Sequence, residues 1–142
     1  MSNDSTQPGA GDPTQMGAGQ ASARQLAIMA ARAADDKKAD NALVLAVGDV
    51  LQITEYFVIC SANNRRLVRA VVEAIDDTLR IESGRSPLRM EGLSESQWVL
   101  ADYGDIVVHV FDDETRMYYE IERLYRDVPR IEWQAAETNS GE

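Results

Sequence analysis

The 142-residue sequence has one cysteine, Cys60, and one histidine, His109. A lone cysteine excludes an internal disulfide and, without an export signal, favours a reducing compartment. No stretch approaches the roughly 20 apolar residues needed to span a bilayer, so no membrane role is expected. No G-x-x-x-x-G-K-[ST] run occurs, and the junction Ser61-Ala62-Asn63-Asn64 lacks the glycine of a phosphate-cradling turn. Basic residues are scarce: 14 Lys and Arg stand against 24 acids, a net charge of −10. Such a surface disfavours a phosphate backbone, which is bound by basic groups that release counterions. It suits a basic protein partner. Residues 1–20 carry neither the basic start and apolar run of a secretion signal nor the arginines of a transit peptide. The expected location is the cytoplasm.

Those first twenty residues are rich in Gly, Pro, Ser, Gln and Asp, with Met16 their one large apolar side chain. They cannot bury enough surface to offset their ordering entropy, so a disordered tail is expected. Residues 134–142 read as a second disordered tail. Residues 21–133 suffice for one domain with one hydrophobic core.

The organising stretch is residues 97–111, QWVLADYGDIVVHVF. It reads as two strands, 98–101 and 106–111, joined by the turn Asp102-Tyr103-Gly104-Asp105, where Gly104 is free to take a positive φ. Ile106, Val108 and Val110 share one face of the second strand, and Val107, His109 and Phe111 the other. Both faces are mostly apolar, which describes a central strand covered twice.

Around it, Ser22 and Gln25 form a capping box for a helix over 23–38. Strands follow at 42–47 and 50–60, paired antiparallel, with Gly48-Asp49 between them. Leu67, Val71, Ile75, Val68, Val72 and Leu79 make the inner stripe of a helix ending near Glu82, with Gly84 as its C′ residue. Arg69 with Glu73 and Asp76 with Arg80 form pairs on its wet face. A short edge strand lies within 85–91. A last helix, 114–127, has Met117, Ile121, Leu124 and Tyr125 as its inner face, and Pro129 stops it. The order α-β-β-α-β-β-β-α gives the fold class: α/β, a single three-layer domain with a mixed sheet flanked by helices.

Two carboxylates, Asp102 and Asp105, are too few for a metal site and are ordinary turn chemistry. His109 lies among apolar neighbours with no nucleophile in evident reach; it reads as a structural or interface residue rather than a general base. Cys60 reads as a small buried hydrophobe. Arg65, Arg66 and Arg69 cluster at a helix start without an aromatic platform, which favours a solvated face over RNA binding. Trp98 beside Glu95, and Tyr103 in a turn that solvent should reach, fit either an anchor for a basic partner or a core rim. Charge supports the anchor, because residues 91–122 hold nine acids against Arg116, a local −8.

The run Trp98-Val-Leu-Ala-Asp102-Tyr103-Gly104-Asp105-Ile-Val-Val-His109-Val-Phe111 resembles the signature of the ribosomal silencing factors, the RsfS or Iojap family. Residues 116–125, RMYYEIERLY, resemble the end of that pattern, as do Tyr56 to Ile59, Ser61 and Glu91-Gly92. The likeness covers about residues 26–127. Glu55 and Tyr125 depart from it, standing where Asp and Trp are common. The resemblance implies a domain of nucleotidyltransferase-like architecture without that catalysis, hence no cofactor or metal. It implies binding to the large ribosomal subunit through ribosomal protein fourteen, steric exclusion of the small subunit, repression of translation when nutrients are short, and possible homodimers. On this reading Trp98 and Tyr103 anchor the partner, and Asp102 and Asp105 orient its basic side chains. His109, Arg116 and Tyr119 line or support the same patch. The competing readings are a metal-dependent nucleotidyltransferase-like enzyme using Asp102 and Asp105, and an RNA-binding module using Arg65, Arg66, Arg69, Arg85 and Arg89.

Overall fold

The computed structural model describes residues 21–134. The tail expected at 1–20 lies outside the described residues, as does all but Gln134 of the one expected at 134–142.

Helix α1 (Ala23–Asp36) starts at the capping box: Ser22 Oγ accepts from the Gln25 amide, and the Gln25 side chain accepts from the Ser22 amide. Strand β1 (Asp40–Ala46) pairs antiparallel with β2 (Tyr56–Ala62). The expected strand over 50–60 is shorter at its start. Pairing ends at Ala46 against Tyr56, and the connection holds a one-turn helix, α2 (Gly48–Leu51), closed by Gln52 at φ 65°. Val50 and Ile53 are therefore exposed instead of paired. Helix α3 (Arg65–Ser83) is capped by Asn64, whose Oδ1 accepts from the Leu67 amide, and ends at Gly84 with φ 65°. Its Asp76–Arg80 pair forms at 3.2 Å. Arg69 donates to Ser96 Oγ rather than to the Glu73 expected for it.

Strands β3 (Arg89–Glu91), β4 (Trp98–Asp102) and β5 (Ile106–Asp112) complete a five-stranded sheet in the order β1-β2-β5-β4-β3. β5 is central, parallel to β2 and antiparallel to β4. Ile106, Val108 and Val110 meet α1 and α3 in the larger core, and Phe111 joins Leu45, Val47, Phe57, Ile59 and Ile121 in the smaller core behind the sheet.

The last helix is not continuous. It breaks at Glu120, at φ 47°, into α4 (Asp113–Tyr119) and α5 (Ile121–Leu124). The break turns Ile121 into the smaller core and leaves Met117 and Leu124, expected inside, 74 % and 76 % exposed. The chain then returns along the free edge of β1. Ala46 donates to the carbonyl of Pro129, Ile131 donates to that of Val44, and Trp133 Nε1 donates to that of Ala42. Trp133 is buried against the larger core. This strap satisfies backbone groups that an open edge leaves unpaired. Trp133→Ala is expected to lower the unfolding free energy by about 3 kcal/mol, seen as a lower urea midpoint at unchanged slope.

Candidate functional site

The turn between β4 and β5 is held from three sides. Gly104 takes φ 95°, and Asp102 Oδ1 accepts from its amide at 2.8 Å. The Tyr103 amide donates to the Ile106 carbonyl. Arg85 donates to the Tyr103 carbonyl at 2.7 Å and to Asp105 Oδ1 at 2.8 Å, and Arg89 reaches Asp102 at 3.4 Å. Both carboxylates are thus engaged within the chain, and part of the local negative charge is already balanced.

Tyr103 is a correction. Its place in the turn favours solvent access, with an anchor and a core-rim ring both open, but it is 2 % exposed. The period of two along β4 explains this: Val99, Ala101 and Tyr103 all point to the α1–α3 side, and the phenol donates to Asp76 on α3 at 3.2 Å. Burial and the adjacent Asp76 push its pKa above the usual tyrosine range.

Trp98, Leu100 and Asp102 have the opposite parity and share the other face of β4. Trp98 stacks on Phe111 at 4.8 Å between centroids, and Tyr119 from α4 leans on it at 5.0 Å. Its indole N–H donates to His109 Nδ1 at 3.2 Å. Gly92 fixes the approach to this strand, because a Cβ there would collide with the Trp98 carbonyl. His109 accepts at Nδ1, so its own proton sits on Nε2, which is buried without a partner among the described residues. Phe57 covers the ring edge-on at 4.5 Å. Burial lowers the His109 pKa to about 4, so the ring is neutral near pH 7.

Arg116, expected to line or support the same patch, is 7 % exposed and belongs to the supporting frame. Its Nε donates to Glu122 across the helix break, and its Nη atoms donate to Ser61 Oγ and to the carbonyls of Asp40 and Asn41. It ties α4 to the ends of β1 and β2. Sequence reasoning missed its partner Glu122, the role of Phe57, and Arg85 as the clamp on the turn.

The structure therefore brings Trp98, His109 and Tyr119 together. Asp102 lies on the same strand face, ~13 Å along the chain from Trp98 at the usual rise per residue. Asp105 sits against Arg85, and Tyr103 and Arg116 are buried. Among the described residues, no group of three or more His, Cys, Asp or Glu is placed to hold a metal ion. No helix of the described residues is long and apolar enough to cross a membrane.

Fold and site together define a small mixed α/β domain that presents an aromatic surface on one face of its sheet. A family model described as "Ribosomal silencing factor during starvation" (RsfS) matches residues 20–142. The chain is 42% identical over 101 residues to the ribosomal silencing factor RsfS of Bacillus subtilis, covering 71% of this chain and 85% of that protein. A crystal structure from Bacillus halodurans aligns with TM-score 0.66 at 35% identity, covering 77% of this chain and 98% of that one. One from Chromobacterium violaceum aligns with TM-score 0.70 at 27% identity, covering 74% and 87%. The chain belongs to the ribosomal silencing factor family, as the run from Trp98 to Phe111 suggested.

Two outcomes follow from this geometry. Tyr103→Phe removes one partly buried hydrogen bond and is expected to cost about 1 kcal/mol in urea unfolding. For His109, the folded pKa of about 4 lies below the ordinary 6.5, so the unfolded chain binds the extra proton between those values. Its contribution is complete above pH 6.5 and is lost as pH falls toward 4, by about 3 kcal/mol in total. Unfolding free energies measured across that window should slope for the wild type, and the slope should flatten in His109→Gln.

Proposed function

We propose that this chain binds the large ribosomal subunit through ribosomal protein fourteen and blocks small-subunit joining by occupying the docking face. The observation that carries the reading is the half-open aromatic surface of Trp98 and Tyr119 over buried His109. Rigid aromatics of this kind anchor protein interfaces, and they hold their geometry before the partner arrives. Asp102 and Asp105 lie at the end of the same strand pair, each already paired with an arginine, and the surplus acids of residues 91–122 suit the basic surface of a ribosomal protein. Tyr103 and Arg85 act by positioning that turn, and Arg116 by positioning Tyr119. The family description, a silencing factor during starvation, supports repression of translation when nutrients are short. Its members' names describe regulation rather than catalysis, and the chain acts as a non-enzymatic factor in the bacterial cytoplasm, with a homodimer as its possible free form.

The test is retention of purified large subunits by the tagged chain, followed by addition of small subunits and separation of joined from free particles. Wild type should retain large subunits and reduce joining. Tyr119→Ala, which removes a half-exposed ring, should weaken retention about tenfold with little change in melting temperature. Asp102→Lys with Asp105→Lys is a poorer probe, because both carboxylates also hold their own turn. Retention unaltered by Tyr119→Ala and by Trp98→Ala would remove this face from the interface.

A further inference from the structure

Packing alone does not explain His109. It stands on the central strand, in register with Ile59 of β2 and Leu100 of β4, and is 4 % exposed. Phe57 meets its ring edge-on at 4.5 Å, and Phe111 and Trp98 lie beside it. A leucine or phenylalanine fills such a place with no polar atom to satisfy. Histidine brings an Nε2–H that has no acceptor among the described residues. A buried donor left unpaired costs stability, so the histidine must supply something an apolar residue does not. What it supplies is the lone pair on Nδ1, which accepts the Trp98 indole N–H at 3.2 Å. The indole nitrogen only donates, so the bond requires the neutral ring with Nδ1 bare. Burial keeps the ring in that form near pH 7.

The bond decides which edge of Trp98 faces outward. One face of the indole lies on Phe111 at 4.8 Å, and Tyr119 leans on it at 5.0 Å. An indole turned by half a revolution about its last side-chain bond keeps much of that stacking. Only the hydrogen bond separates the two states. With the N–H turned inward to His109, the part of the ring left open to a partner is carbon alone. A partner then finds π-surface and no donor there. Such a surface fits an aliphatic group or the stem of a long side chain, and offers nothing to a carbonyl or carboxylate.

We propose that His109 is the positioning residue of the Trp98 face: its Nδ1 locks the indole with the N–H inward, so that a protein partner seats an aliphatic side chain or stem on a carbon-only ring. The inference rests on the reading of Trp98 and Tyr119 as the partner-binding face.

The experiment joins a spectroscopic signature to a binding measurement on the full chain labelled with ¹⁵N. In the wild type, a nitrogen–nitrogen coupling across the hydrogen bond should link the Trp98 indole to His109 Nδ1. Trp133 is the internal control, because its indole donates to the Ala42 carbonyl and gives no such coupling. His109→Leu removes both the acceptor and the orphan N–H. It should fold with no lower melting temperature, lose the coupling, exchange its Trp98 indole proton faster, and weaken retention of large ribosomal subunits about fivefold. Should it fail to fold, His109→Phe replaces it with the same expectation. His109→Gln, whose side-chain oxygen accepts the same N–H, should restore slow indole exchange and recover retention. Absence of the coupling in the wild type overturns the lock, whatever the retention. Retention equal in wild type and His109→Leu, or equally weakened in the leucine and glutamine variants, overturns the positioning role. Failure of the wild type to retain large subunits while the coupling is present sinks the ribosomal reading, and the role in binding with it, and leaves the lock standing.

Discussion

A strand with apolar side chains on both faces must be covered twice, and β5 imposes that requirement on the whole chain. Its Ile106, Val108 and Val110 demand one cover, and its Val107 and Phe111 demand another. Helices α1 and α3 supply the first as long amphipathic rods. The second is assembled from smaller pieces: two short helices, Ile121, Tyr125 and Val128. This inequality shapes the functional face. A full-length helix would seal the smaller core, whereas the broken one leaves Trp98 and Tyr119 half open beside it.

Arg116 is what makes the broken cover hold. Its guanidinium gathers Glu122 from beyond the break, Ser61 from β2, and two carbonyls from the start of β1. A buried charge is tolerated only when its donors are used, and here four are used. The helix it holds is the one that carries Tyr119 against Trp98. The aromatic face is therefore completed by the α4–α5 arm, which is bound to the ends of β1 and β2. At the opposite end Arg85 plays the matching part, joining the turn to the segment after α3 through Asp105 and the Tyr103 carbonyl.

Much of the fold was legible because its signals are short-range. The Ser22–Gln25 box and Gly84 each act within a few residues, and each stands where expected. Tyr103 shows two local rules in conflict. Turn chemistry argued for exposure, while the alternation through Val99 and Ala101 argued for burial. Alternation won, because Asp76 on α3 offered the phenol a partner. The break at Glu120 had no such local warning. The stripe Met117, Ile121, Leu124 fits an unbroken helix, and only the shape of the smaller core, which admits Ile121 alone of the three, overrides it.

By itself the sequence determined the central strand, its two-sided burial, the turn at Gly104, the helix caps and the family. All of these follow from side-chain period, backbone freedom or a contiguous run of residues. Only the tertiary structure decided which charges remain free for a partner. Arg116 reaches Ser61 and Asp40 across 55 and 76 residues, and Arg85 reaches Asp105 across 20. Spacing along the chain carries no record of such pairings. They arise when packing brings distant segments within hydrogen-bond distance, and burial then makes each unpaired group too costly to keep.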